Sequence, residues 1–194
     1  MSERKSGMSS GMKILLVVLG IIVIFAVILI SSYNGLVRQE EAANTAYSDI
    51  SVQLQRRNDL IPNLVSTVQG YAAHETQVFA DVTNARAKLM GSNSIEDTAA
   101  ADQELTGSLN RLLAIAEAYP ELKANENFLS LQDQLEGTEN RISTARRDYN
   151  QAAKTYNSKI RSFPTNIMAG MFGFDKKQLF EAAEGAEAVP DVSF

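Results

Sequence analysis

Polar positions vanish from the chain soon after it begins. From Ile14 to Ile30, seventeen successive residues (ILLVVLGIIVIFAVILI) carry no charged or strongly polar side chain. As a helix this run is about 26 Å long, and Met12, Ser31 and Ser32 bring it to bilayer thickness. The pattern predicts a transmembrane helix over residues 14–32, preceded by a basic cytoplasmic segment over 1–13. A cleaved signal peptide fits less well, because its apolar core is shorter and ends in a small-x-small site. Here Leu29 or Ile30 falls at the −3 position. Helices in soluble cores seldom run this far without a polar face.

From Ser32 the period changes to alternating steps of three and four. Leu36, Ala43, Tyr47, Ile50 and Leu54 form one stripe, with Glu40 in one slot, and only Asn34-Gly35 separates this helix from the span. Pro62 predicts a break or a fresh start, with Asn58 or Asp59 as the cap of a second helix. That helix reads Leu64, Val68, Tyr71, Glu75, Val78, Val82, Ala85 and Leu89 and stops at Gly91-Ser92-Asn93-Ser94. A third starts at Asp97 or Thr98, carries Leu105, Leu109, Leu112, Ala116 and Tyr119, and is interrupted at Pro120. The fourth keeps Leu131, Leu135, Thr138, Ile142, Ala145, Tyr149, Ala152 and Tyr156 in register up to Phe163, and Pro164 ends it. No alternating strand pattern of useful length occurs. The expected fold class is therefore all-α: the transmembrane helix followed by an elongated antiparallel bundle of four-helix type over 33–163. The same heptads also suit an intermolecular coiled coil, and periodicity does not separate the two.

Charge gives the anchor a direction. Arg4, Lys5 and Lys13 precede the span, while only Arg38 follows within about fifteen residues, so the positive-inside rule keeps the N-terminus cytoplasmic and puts the bundle on the extracytoplasmic, periplasmic side of a single-pass inner-membrane protein. Setting aside Arg4, Lys5, Lys13 and Glu3 leaves 15 bases against 22 acids, a formal charge of −7, which disfavours nucleic acid as a partner. The chain has no cysteine, which removes disulfides, zinc-thiolate sites, thiol nucleophiles and a lipoprotein anchor.

Two long stretches carry a resemblance. Tyr33-Asn34-Gly35-Leu36-Val37 followed by DISVQLQRRNDLIPNLVSTVQGYAAHE resembles the N-terminal signature of the LemA family, and NFLSLQDQLEGTENRISTARRDYN followed by YNSKIRSFPTNIMAGMFGF resembles its C-terminal one. The likeness runs from about Ser32 to Glu181 and departs at Tyr47, where relatives commonly carry tryptophan. It implies a bacterial membrane protein with an N-terminal helix and a mostly helical bundle, in a family without established enzymatic chemistry. It also implies a role in membrane organisation or envelope stress, with a magnetosome-membrane relative and, by gene neighbourhood, a TPM-domain membrane protein as a partner. Some descriptions of the family place the large domain in the cytoplasm, against the direction read from charge.

Little in the chain points to catalysis. His74 is the only histidine, so histidine metal sites and most general-base schemes lack a second member, and neither a cofactor nor a metal is expected. Asp49, Asp59, Glu75 and Asp81 form no evident acid–base pair and read as a solvated face. Arg56, Arg57 and Asp59 read as helix-end capping charges, with contact to an anionic headgroup or a partner carboxylate as the alternative. Tyr149-Asn150 and Tyr156-Asn157 recur at heptad spacing, and a seam asparagine fixes register or partner. The apolar segment 164–180, with Phe163 at its edge and Met171, Phe172 and Phe174 within it, folds back on the bundle or meets lipid or another subunit. Residues 181–194 read as a flexible tail. Together these features predict a non-enzymatic, self-associating scaffold of the bacterial envelope, a homo-oligomer on the lipid bilayer. The alternative is a signalling or stress component that couples the bundle to the anchor.

Overall fold

The computed structural model describes residues 10–181, so Arg4, Lys5 and the tail from 182 lie outside the described residues. Among the described residues there are six helices and no strand: α1 (Ser10–Gln69), α2 (Thr76–Met90), α3 (Ile95–Ala116), α4 (Pro120–Lys123), α5 (Glu126–Arg161) and α6 (Thr165–Phe172). The described residues form two compact units, the first from residues 10–42 and 154–177, the second from 43–153 and 178–181. Helices α1 and α5 contribute to both.

Within the second unit the helices alternate in direction. Lys88 of α2 pairs with Glu104 of α3, and Arg111 of α3 with Asp81 of α2 at 3.3 Å, so these two run antiparallel. Tyr47 of α1 packs edge-on against Tyr149 of α5, while Tyr71, just past the other end of α1, accepts a hydrogen bond from Asn125 at the start of α5. The arrangement is an up-down-up-down bundle of α1, α2, α3 and α5, as the stripes predict. Its core gathers Ile50, Ile61, Leu64, Val68, Val82, Leu105, Leu112 and Ile142, each almost fully buried.

Pro62 does not break the first helix. It lies inside α1 on the exposed face, and the stripe continues through Ile61, Leu64 and Val68. A proline withholds the N–H that would bond the carbonyl four residues back. That carbonyl is Asn58's, and Arg86 of α2 supplies the missing donor, its Nε lying 3.1 Å away. The expected start of a second helix at Asn58 or Asp59 is thereby corrected, since the chain turns only at residues 70–75. Gly70 weakens the helix there, and the backbone N–H groups of Tyr71 and Ala72 close the turn onto the Val68 carbonyl at 3.0 and 2.9 Å. Tyr71, His74 and Glu75 therefore sit in a turn, not on a helix.

The other boundaries follow local chemistry. Ser94 caps α3, accepting the Asp97 N–H at 3.0 Å and donating to its carboxylate at 2.7 Å, so α3 starts two residues before the expected Asp97. Pro120 occupies the first turn of α4, where its missing N–H costs nothing. Asn125 caps α5 through the Phe128 N–H at 3.0 Å.

In the first unit, α6 packs on α1. Leu36, Met168 and Ala169 are its buried centre, with Leu29, Tyr33, Ile160 and Phe174 against them. Gly173, at φ 73°, ends α6 in the left-handed conformation that glycine adopts without strain.

Candidate functional site

Five polar side chains meet in the bundle unit. Arg57 points from α1 into the core, 4 % exposed. One of its amino groups reaches the Asp102 carboxylate at 2.8 Å and Glu139 at 2.7 Å, and the other donates to the Thr106 hydroxyl at 3.0 Å. Asp102, 2 % exposed, accepts on its second oxygen from Arg146 of α5 at 2.9 Å. One buried carboxylate thus ties α1, α3 and α5 together through two guanidinium groups. Buried charges persist only when paired and hydrogen-bonded, and around buried Arg57 and Asp102 the partly exposed Glu139 and Arg146 bring the set to two positive against two negative charges.

Arg56 and Asp59 lie on the exposed face of α1, where Asp59 accepts from Gln55 at 2.8 Å. The capping reading is corrected: α1 passes through residues 56–59 without an end, so these charges meet no helix terminus. Asp102 escaped the sequence reading. Its signal is its register, three residues before Leu105 in the α3 stripe, where a charge needs an internal partner.

The two asparagine repeats do the same work in their own units. In the bundle unit, Asn150 accepts the Phe180 N–H at 2.9 Å and donates to the Phe180 carbonyl at 2.8 Å. Tyr149 donates to the Gln178 carbonyl at 2.8 Å, and Phe180 inserts between the Tyr149 ring and the Arg146 guanidinium, 5.0 Å from its ring centre. In the first unit, Asn157 grips Lys177 in the same two-way manner, at 2.9 and 2.8 Å. A side-chain amide that pairs with both backbone groups of one residue holds extended chain irrespective of its side chains. Both asparagines engage the protein's own C-terminal segment.

Tyr156 is fully buried beside Asn157, with the Lys177 ammonium 5.5 Å from its ring centre. Among the described residues its hydroxyl has no hydrogen-bond partner. Burial, helped by the negative charges of Glu40 and Asp175, pushes its pKa up to about 12. Burial also raises Tyr149, with Tyr47 adding to it.

The remaining candidates lie in the first unit. Phe163 is 82 % exposed, Met171 71 % and Phe172 56 %, while Phe174 is half-buried. Tyr33 contacts two of them, with ring centres 4.9 Å from Phe172 and 5.7 Å from Phe174. Every large apolar side chain from Ile14 to Phe25 is exposed, and α1 is apolar enough over this stretch to cross a membrane.

A family model for the LemA family matches residues 46–194. Magnetosome protein MamQ 2 of Paramagnetospirillum magneticum is 29% identical over 186 residues, covering 82% of this chain and 68% of the relative. Magnetosome protein MamQ of Magnetospirillum gryphiswaldense is 28% identical over 185 residues, with the same coverage. Protein LemA of Metamycoplasma hominis is 27% identical over 165 residues, covering 83% of this chain and 74% of the relative.

Proposed function

The chain belongs to the LemA family, and from that premise we propose that it is a non-enzymatic scaffold, anchored in the bacterial inner membrane by α1 and self-associating through its folded part. The observation that carries this reading is the continuity of α1: one unbroken helix holds both the apolar span and a quarter of the bundle core. The charged cluster supports it, because Arg57, Asp102, Glu139 and Arg146 are engaged with one another inside the bundle. Two relatives are named as magnetosome proteins, which accords with work at a membrane. A shallow groove of about 440 Å³ between α1 and α5, lined by Ala46, Asp49, Gln53, Gly137, Arg141 and Asp148, offers small and oppositely charged side chains to a second copy.

Light scattering on the detergent-extracted full chain tests the assembly. A mass of several chains is expected, and a strict monomer at high concentration sinks the scaffold. Direction is tested in spheroplasts with Val52→Cys. Labelling by an impermeant maleimide from outside supports an extracytoplasmic bundle, and labelling only after lysis reverses it. The shared helix also favours a second reading, a component that passes changes in the bundle to the anchor. Under that reading, adding a partner such as a TPM-domain membrane protein shifts cross-linking along Leu36 to Tyr47, and an unchanged pattern counts against it.

A further inference from the structure

The outward face of α6 has the wrong polarity for water. Thr165, Met168 and Ala169 face inward, yet the opposite side presents Ile167, Met171 and Phe172, with Phe163 just ahead. A surface helix in water shows polar side chains there. The place of α6 on α1 explains the inversion. Its cluster follows one stripe of α1 through Leu36, Tyr33 and Leu29, successive steps of three and four. Leu29 belongs to the apolar span itself, next to its last residue, Ile30. The last turn of the span and α6 are therefore at one level, within about one or two helical turns.

We propose that α6 lies in the surface of the bilayer that α1 crosses, with Phe163, Ile167, Met171 and Phe172 in the headgroup–acyl boundary. The occupant of this face is lipid, because the face is continuous with a segment that lipid already surrounds. Tyr33 stands where aromatic side chains collect at membrane surfaces, and its ring rests on Phe172. Lys159, Arg161 and Lys176 are exposed around α6, suiting anionic headgroups. The cluster gives the membrane a second hold, a short interfacial helix clamped to the emerging span.

This inference rests on the reading of α1 as the membrane anchor, and the test separates the two. The chain has no tryptophan, so one introduced tryptophan reports its own surroundings. The full chain is reconstituted in vesicles containing brominated lipid, carrying Met171→Trp, Ile22→Trp in the span, or Val52→Trp on the bundle, with helicity checked by circular dichroism. Ile22→Trp and Met171→Trp are expected to emit to the blue and lose intensity to the brominated chains, while Val52→Trp does neither. Blue emission at Met171→Trp without quenching means that protein covers the face, which overturns the proposal. Red, unquenched emission there beside a quenched Ile22→Trp means a wet face and overturns it while leaving the anchor standing. An unquenched Ile22→Trp removes the anchor and the inference with it.

Discussion

The two units distribute polarity in opposite senses. In the bundle unit charge goes inside: Arg57 and Asp102 are nearly inaccessible, and among the described residues the large exposed apolar side chains are four scattered ones, Val52, Tyr71, Met90 and Leu129. In the anchor unit the outside is apolar, from Ile14 along the span and again at Phe163, Ile167, Met171 and Phe172. Scattered exposed apolar residues are ordinary on a protein in water, whereas a contiguous set marks a contact. The two units are thus shaped by different surroundings, although helices α1 and α5 run through both. A residue's neighbours along the helix do not decide its role; the medium across from it does.

Removing the buried carboxylate should disturb the bundle most. Asp102→Ala leaves Arg57 and Arg146 facing each other without their shared partner and is expected to cost about 3–5 kcal/mol in urea unfolding of the full chain in detergent, followed by circular dichroism. Replacing the whole set with apolar residues (Arg57→Met, Asp102→Leu, Glu139→Met and Arg146→Met together) is expected to restore most of that loss, because side chains of similar volume need no internal partner. If the single substitution costs less than about 1 kcal/mol, the cluster is wetter than its burial indicates.

A smaller effect sits at the proline. Arg86→Met is expected to cost about 1–3 kcal/mol, since it orphans the Asn58 carbonyl. With Pro62→Ala in the same chain, residue 62 regains its N–H, so the cost of losing Arg86 should shrink. A double-mutant cycle measures that coupling, and additive costs would mean that Arg86 acts elsewhere.

Most of the helices and the bundle type were legible in the apolar periodicity, because each helix buries one stripe and Tyr149, Tyr156 and Ile142 fall on it. The turn at residues 70–75 was not, because Pro62 is the stronger local breaker and its rescue by Arg86 comes from another helix. The same misplaced break concealed Arg57, which reads as an end charge if the helix stops and as a core charge if it continues. Asn150 and Asn157 stood out by repetition, but their partners are backbone groups of residues 177 and 180, and backbone leaves no mark in a sequence. The exposed side of α6 was legible as an apolar run; its level on α1 came only from the packing of Leu29 and Tyr33.

The smallest effect belongs to Tyr156 and is confined to strong alkali. Its pKa is raised when folded, so the folded chain holds this proton more tightly than the unfolded one. Its contribution is intact below about pH 10, the unfolded value, and is lost as the pH climbs toward about 12. Tyr156→Phe should remove that part of the alkaline loss, measured as thermal stability against pH. An unchanged alkaline profile in this variant would assign the loss to other groups.

The contrast between the units can be read in one experiment, because the chain has no cysteine and a single introduced one reports its own exposure. Ile22→Cys and Val52→Cys are compared in membranes whose bilayer is kept and whose two faces are both made accessible to a water-soluble maleimide by freeze–thaw; both positions are 58 % exposed on the protein. The expected result is rapid labelling at residue 52 and none at residue 22 until the membrane is dissolved and the chain unfolded. Equal labelling at both positions in intact membranes would show that water, not lipid, surrounds the apolar helix.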